Sequence, residues 1–486
     1  MNDNLMIGWS EADTTPMTDK KIALYGQYYA RTATGIHSRL KTVAAAFSSG
    51  TEQFLTASLD LVNFQQDFHR TIRALTAKLE PEIDPDKIFL NAVHTHCGPS
   101  VTPVSNSNAW RERDQEALSP EEYAEYVIPI IARNLVNAWH SRKPGGIARA
   151  FGFVRVGHCR RAVYANGKAE MYGDTTRPDF IGMEAGEDSG VDMLFTFDKT
   201  GKKTGMFLNL ACPSQVMEAT CRISSDFAGA TRELLKQDFG EDFHTIYQIS
   251  PAGCQSPRDL VRHYTTEPDF WHEDGVVEIA NRLRTAVVSA VPEKIDYAPV
   301  FKHTSMHVTL PRRRASYTDY KEAQAELARL IAIQPEAEAF KEFCEETHAK
   351  EKLSGPGPYD SKLHHFVLIK NAQAVISRYE IQDREPTVGF DMNVVRLGDI
   401  AVASNPFELY LYYGQNIKAR SHAVQTFLVQ LAAGANHPAG YLPSPDAEKF
   451  GGYGGLIING QAGSDGGFIL ADITVRKINE LFGKRD

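Results

Sequence analysis

Apolar positions along the chain recur in two rhythms. Short runs rich in Val, Ile, Phe, Leu and Ala, several of them alternating with period two, predict strands at 40–49, 53–62, 87–93, 147–157, 191–198, 204–211, 244–249, 300–310, 387–396, 399–403 and 424–433. Longer stretches with helical spacing predict helices at 119–142, 227–238, 273–290, 317–333 and 335–352. Ser119-Pro120-Glu121-Glu122 has the form of a capping box with proline at the first helical position. Asp226 is placed to cap the second helix, with Gly240 just past its end. Asp198-Lys-Thr-Gly201 reads as the turn of a hairpin, and Arg396-Leu-Gly-Asp-Ile400 as a second tight turn. The helices 317–333 and 335–352 meet at Gln334-Pro335 and read as a charged helical hairpin, an insertion over 315–360. Ser354-Gly-Pro-Gly-Pro358 follows as a candidate lid or linker. Alternation of strands and helices with no internal repeat predicts an α/β fold.

Composition narrows the function classes. The 486 residues allow roughly two to four domains, or one large α/β domain. Apolar residues at 42% supply a full core, and no apolar run approaches the roughly 20 residues needed to span a bilayer. With 52 basic and 61 acidic residues the net charge is −9, so binding driven by phosphate neutralisation is not expected and no nucleic-acid partner is predicted. The first residues carry no basic segment and no long apolar segment of a secretory signal, and the six cysteines form no CxxC pair. A cytoplasmic enzyme with reduced thiols is expected, acting on a small molecule and compatible with a homo-oligomer.

The chemistry-bearing residues cluster after predicted strands. His94-Thr-His96-Cys-Gly-Pro99 follows 87–93. If the strand continued, its two histidines would share a face and approach one site. Cys212-Pro213-Ser-Gln215 follows 204–211, Ser250-Pro-Ala-Gly-Cys254-Gln-Ser256-Pro257 follows 244–249, Asn405-Pro-Phe-Glu408 follows 399–403 and opens a helix, and Gly440-Tyr441 comes shortly after 424–433. Strand ends of a sheet flanked by helices converge on one rim, which is where ligands bind. Singly, each residue has an ordinary structural account: Cys212 as a small buried hydrophobe, Glu408 as a helix-dipole partner, Tyr441 as packing. Together, His, Cys, Glu and Tyr make a candidate four-donor set for Zn²⁺.

These motifs carry a resemblance. Gly8-Trp-Ser-Glu-Ala-Asp13-Thr-Thr-Pro16, His94-Thr-His-Cys-Gly-Pro99, Ile223-Ser-Ser-Asp226, Gly253-Cys-Gln-Ser256-Pro257, Asn405-Pro-Phe-Glu408 and Gly440-Tyr441 follow one another as in the neutral/alkaline non-lysosomal ceramidase family, across nearly the whole chain. The chain resembles the N-terminal catalytic domain of that family. The resemblance implies one large α/β domain, residues 1–486, with mixed β-sheets flanked by helices; the family's usual C-terminal immunoglobulin-like domain is, as a departure, not expected here. It also implies amide hydrolysis by water on a zinc held by two histidines, a glutamate and a tyrosine.

Carried onto this sequence, the implied metal ligands are His94, Glu408 and Tyr441 (Tyr453 as the fallback). His96 is implied as a catalytic partner, Ser256 as the motif serine at the active site, and Arg160 as a substrate-binding arginine; Gln215 and Cys254 are further candidates for substrate contact. Two departures stand out. Cys212-Pro213 occupies the place of the family's second ligand histidine, making Cys212 the candidate fourth ligand, and the GxxSP motif lacks the family's aspartate. They point to a smaller, more polar substrate than an extracellular sphingolipid. Three hypotheses follow: a zinc-dependent hydrolase of an amide or related ester or lactone; a metal-free thiol hydrolase using Cys212 or Cys254 with His96 as base; and a protein that only binds a small ligand.

Overall fold

Alternation in Lys41–Ser49 sends Val43, Ala45 and Phe47 to one side and Ala44 and Ala46 to the other, and both sides are buried. A strand covered on both faces belongs inside a layered structure. The computed structural model describes residues 4–25, 31–102, 116–261, 271–349, 364–432 and 439–483. Its main sheet has eight strands in the order His244–Ile249, Lys203–Leu210, Gly190–Asp198, Lys143–Phe153, Met6–Asp13, Lys41–Ser49, Glu52–Leu59 and Ile88–Ala92. Most neighbours are antiparallel, but the last pair at each edge is parallel. A second sheet runs Phe301–Pro311, Thr387–Leu397, Ile400–Ser404 and Gln425–Val429, its last pair parallel.

The sheets stack face to face. Val43, Phe47, Phe54, Phe89, Phe207 and Ile246 of the first pack with Phe301, Val395, Ile400, Val402 and Phe427 of the second. Burying each of these large side chains contributes on the order of 1.5–3 kcal/mol. The Asn209 amide of one sheet donates to the Leu428 carbonyl of the other at 2.8 Å, pinning their relative slide. The outer faces carry helices: Gln66–Leu79 and Pro120–His140 on the main sheet, Ser464–Phe482 on the second. The result is a mixed α/β domain of helix, sheet, sheet and helix layers.

Each predicted strand and helix is present, with ends shifted by up to four residues. The capping box at Ser119 and Glu122 forms, and Gly240 caps the Asp226–Phe239 helix, whose N-cap is Ser225 rather than Asp226. The turns at Asp198–Gly201 and Leu397–Ile400 join antiparallel strands. Helices Tyr317–Ile333 and Glu336–Ala349 occupy the predicted hairpin, joined by a third, His365–Ile381, that the periodicity did not reveal. Residues 354–358 lie outside the described residues. Two readings are corrected. The strand before His94 stops at Ala92, and Glu408 lies in a two-residue strand, Glu408–Leu409, before the helix Leu411–Arg420. In both places the chain pairs with a neighbouring loop, which competes with continuing the local element: Leu61 and Gly440 carbonyls accept from the amides of His94 and Glu408.

Candidate active site

Parallel edge pairs bring the C-terminal ends of Ile88–Ala92, Lys203–Leu210, His244–Ile249, Ile400–Ser404 and Gln425–Val429 to one rim, where backbone bonds stitch the loops together. Asn405 N donates to Val429 O, Gln430 N to Ile249 O, and Ser214 N to Val93 O. Small strand pairs then set the side chains. Glu408–Leu409 runs parallel to Tyr441–Leu442, placing Glu408 directly opposite Tyr441. Gln255–Ser256 pairs with His158–Cys159, and Arg160 N donates to Cys254 O. Gly253 is required by closeness, since a Cβ there would lie 2.4 Å from the Glu408 carbonyl oxygen.

His94 leaves the strand with φ 68°, a conformation rare for a non-glycine residue and held here by its surroundings. That turn, rather than strand alternation, brings the two imidazoles together, Nε2 to Nε2 at 3.2 Å. His94 Nδ1 lies 2.8 Å from the Val62 carbonyl. A carbonyl only accepts, so Nδ1 carries the hydrogen and Nε2 presents a lone pair. Glu408 Oε2 stands 3.9 Å from that Nε2 and 3.8 Å from an Arg160 nitrogen. Arg160, 2% exposed, donates to the Gly253 carbonyl at 3.0 Å and to the Tyr441 hydroxyl at 3.1 Å. Burial pushes the His94 pKa down, against the pull of Glu408, and pushes that of His96 well below its ordinary value, helped by His94, Arg31 and Arg160.

Thus His94, His96, Arg160, Glu408 and Tyr441 meet in one cluster, with the Tyr453 ring packed on Tyr441 at 5.4 Å. Ser256 and Gln215 form a second group beside it: the Tyr172 hydroxyl donates to Ser256 Oγ at 3.1 Å and accepts from Gln215 Nε2 at 2.9 Å. The two cysteines stand apart from this chemistry. Cys212 is fully buried and its thiol donates to the Val156 carbonyl at 3.1 Å; burial raises its pKa well above the ordinary thiol value. Cys254 Sγ accepts from Gln255 Nε2 at 3.2 Å, and its pKa is also raised, burial leading. Neither thiol is set up as a thiolate nucleophile.

The donor chemistry also bears on zinc. His94, with Nδ1 fixed by a carbonyl and Nε2 turned to Glu408, is oriented as a ligand histidine would be. Yet the Cys212 thiol is committed elsewhere, Tyr441 is taken by a guanidinium, and among the described residues no three His, Cys, Asp or Glu side chains converge closely enough to hold a metal ion. The residues described do not fit the four-donor zinc set.

Three contributors escaped the motif reading. Glu218, fully buried, places Oε2 3.5 Å from His96 Nδ1. Tyr172 carries φ 56° and lies 3.5 Å from Glu218 Oε1. Arg31 is fully buried and donates to the His96 and Tyr25 carbonyls at 3.0 and 2.9 Å. The one sequence signal was a carboxylate inside the apolar run Val216-Met-Glu-Ala219.

No family model and no curated protein sequence matches the chain. Solved structures do. The neutral ceramidase from Pseudomonas aeruginosa superposes with a TM-score of 0.67 over 99% of this chain and 75% of that one, at 16% identity. A ceramidase complexed with C2 matches with a TM-score of 0.64 over 97% of this chain and 74% of that one, at 15% identity. The chain therefore shares the fold of these ceramidases.

Proposed function

We propose that this chain is a hydrolase that cleaves an amide bond, or a related ester or lactone, of a small molecule at the His94–Glu408–Arg160–Tyr441 cluster. The observation that carries the reading is the convergence of a buried basic lone pair, a carboxylate and a cation-backed hydroxyl. The shared ceramidase fold favours an amide as the bond cleaved. A polar metabolite is proposed in preference to a sphingolipid on the two sequence departures, Cys212-Pro213 and a GxxSP motif without the family's aspartate.

In this mechanism His94 Nε2, held neutral by burial, takes the proton of the attacking water and gives it to the leaving nitrogen or oxygen as the acyl bond breaks. Glu408 orients that water and stabilises the imidazolium that forms. Arg160 donates to the Tyr441 oxygen, so the guanidinium charge stands behind that hydroxyl as it donates to the developing oxyanion. Water entering at His94 displaces the His96 hydrogen, which becomes a second oxyanion donor. Zinc, which the family resemblance implies, would supply water activation; the described donors do not fit its four-donor set.

The test is a turnover assay on a panel of N-acyl amines, N-acyl amino acids, esters and lactones. His94→Ala should lose about 10²–10⁴ in kcat and Arg160→Ala about 10²–10³. Absence of turnover by the wild-type protein across the panel, or full activity in either variant, overturns the reading.

A further inference from the structure

Two polar atoms beside the catalytic cluster are enclosed without a partner among the described residues. Gln215 is fully buried, and its Oε1 accepts no hydrogen bond; Trp271 is 4% exposed, and its Nε1 hydrogen meets no acceptor. Buried polar groups are nearly always paired, because an enclosed donor or acceptor has given up water. Both residues stand at the same place. Gln215 Nε2 donates to the Tyr172 hydroxyl at 2.9 Å, and the Trp271 ring meets the Tyr172 ring edge-on at 6.4 Å. Their backbones are tied one residue on: His272 N donates to the Val216 carbonyl at 3.1 Å. We infer that Gln215 and Trp271 form a specificity subsite for an uncharged substrate group that both donates and accepts a hydrogen bond, a hydroxyl or a primary carboxamide.

The direction of the Gln215 amide follows from its partner. The Tyr172 hydrogen is taken by Ser256 Oγ at 3.1 Å, with Glu218 Oε1 at 3.5 Å. Towards Gln215 the Tyr172 oxygen therefore only accepts, so the amide presents its NH2 there and turns Oε1 to the opposite side. The subsite thus offers one acceptor, Gln215 Oε1, and one donor, Trp271 Nε1–H. A methyl group there leaves both unpaired, a carboxylate has no hydrogen for Oε1, and an ammonium has no lone pair for Nε1–H. The surrounding charge favours neither ion. Arg160 and Glu218 both reach the Tyr172 hydroxyl and are opposite in sign. The Arg258 guanidinium lies over the Trp271 ring at 5.6 Å, whereas the indole N–H lies in the ring plane. Tyr172, which both residues touch, is partly exposed, so a substrate group can approach from its side.

This inference rests on the hydrolase proposed above, so the test has one readout from turnover and one from binding alone. Matched amides differ in a single group: N-acetylethanolamine carries a hydroxyl, N-acetylglycinamide a carboxamide, N-ethylacetamide a methyl, N-acetylglycine a carboxylate and N-acetylethylenediamine an ammonium. A second series places the hydroxyl or the methyl on the acyl side, as glycolyl and propionyl amides. In one of the two series kcat/KM should be about 100-fold higher for the hydroxyl or the carboxamide than for the methyl, and higher than for either ion. The faster of the two tells hydroxyl from carboxamide. Gln215→Leu and Trp271→Phe should each reduce that ratio to about tenfold or less; should Gln215→Leu not fold, Trp271→Phe decides. For binding, the indole N–H signal of Trp271, one of four tryptophans, is assigned by its loss in Trp271→Phe. The preferred amide should shift that signal in wild type, and its methyl counterpart should not. No preference in either series, a preference for an ion, or a preference that survives in Trp271→Phe overturns the inference. If wild type turns over nothing, the hydrolase reading fails and the indole signal decides by itself: a shift with the hydroxyl or carboxamide amide supports the subsite, and an unmoved signal overturns it.

Discussion

His94 and Cys212 show how far a residue's chemistry depends on where its polar atoms are committed. The imidazole has Nδ1 occupied and Nε2 open, whereas the thiol is spent on the Val156 carbonyl. Removing Cys212 Sγ should therefore cost packing but not chemistry. Cys212→Ala is expected to keep turnover within about twofold and to leave the zinc content found by elemental analysis of wild type unchanged, with a stability loss of about 1 kcal/mol. A loss of bound zinc in that variant would restore Cys212 as a ligand; a loss of turnover alone would restore the thiol mechanism. His69 offers a second residue-scale test. It is fully buried, and burial, aided by Arg73, pushes its pKa down to about 3. The unfolded chain then takes up the proton near pH 6.5 while the folded chain does not, so folding stability declines as pH falls from about 6.5 towards 3. His69→Leu should raise the melting temperature at neutral pH and flatten the decline below pH 6.5, read by thermal unfolding from pH 7.5 to 4.5. An unchanged slope would refute this. The motif histidines, Arg160, Glu408 and Tyr441 were legible in the sequence as candidates; Glu218, Tyr172 and Arg31 were not, because nothing local marks side chains that meet partners far along the chain, 46 residues between Tyr172 and Glu218 and 189 between Arg31 and Thr220.

At the scale of elements, the readable ones had a clean period or a cap. Lys41–Ser49 alternates, and Pro120–His140 opens on a capping box. Met6–Asp13 was missed because Gly8, Ser10 and Glu11 break its apolar rhythm, and Ser464–Phe482 because it opens inside a glycine-rich stretch. The unpredicted helix His365–Ile381 links the helices between Phe301–Pro311 and Thr387–Leu397 to the glycine-rich loop. Arg378, mostly buried, donates to the Arg313 and Gly460 carbonyls at 3.1 Å each, bracing the glycine-rich loop that carries Tyr453. Burial and the neighbouring Arg312 and Arg313 lower its pKa to about 10, which leaves it charged at neutral pH. Arg378→Met should speed hydrogen exchange across 451–463 and raise KM about tenfold, with a smaller effect on kcat. Unchanged exchange in that loop would show that the helix does not support it.

For the molecule as a whole, amino-acid order alone determined that the chain is α/β, where most strands and helices lie, and which polar motifs follow strand ends, since periodicity and turn chemistry act over a few residues. No helix among the described residues is long and apolar enough to cross a membrane. Only the tertiary structure decided that two sheets stack, with Asn209 bridging them, and that the motif ends share a rim. It alone turned His94 out of strand register, paired Glu408 with Tyr441, and left Cys212 facing a carbonyl. The physical reason is the range of the forces involved. Local rhythm sets each element, but the direction of a buried lone pair or hydrogen is set by whichever distant polar atom must be satisfied in the same enclosed space.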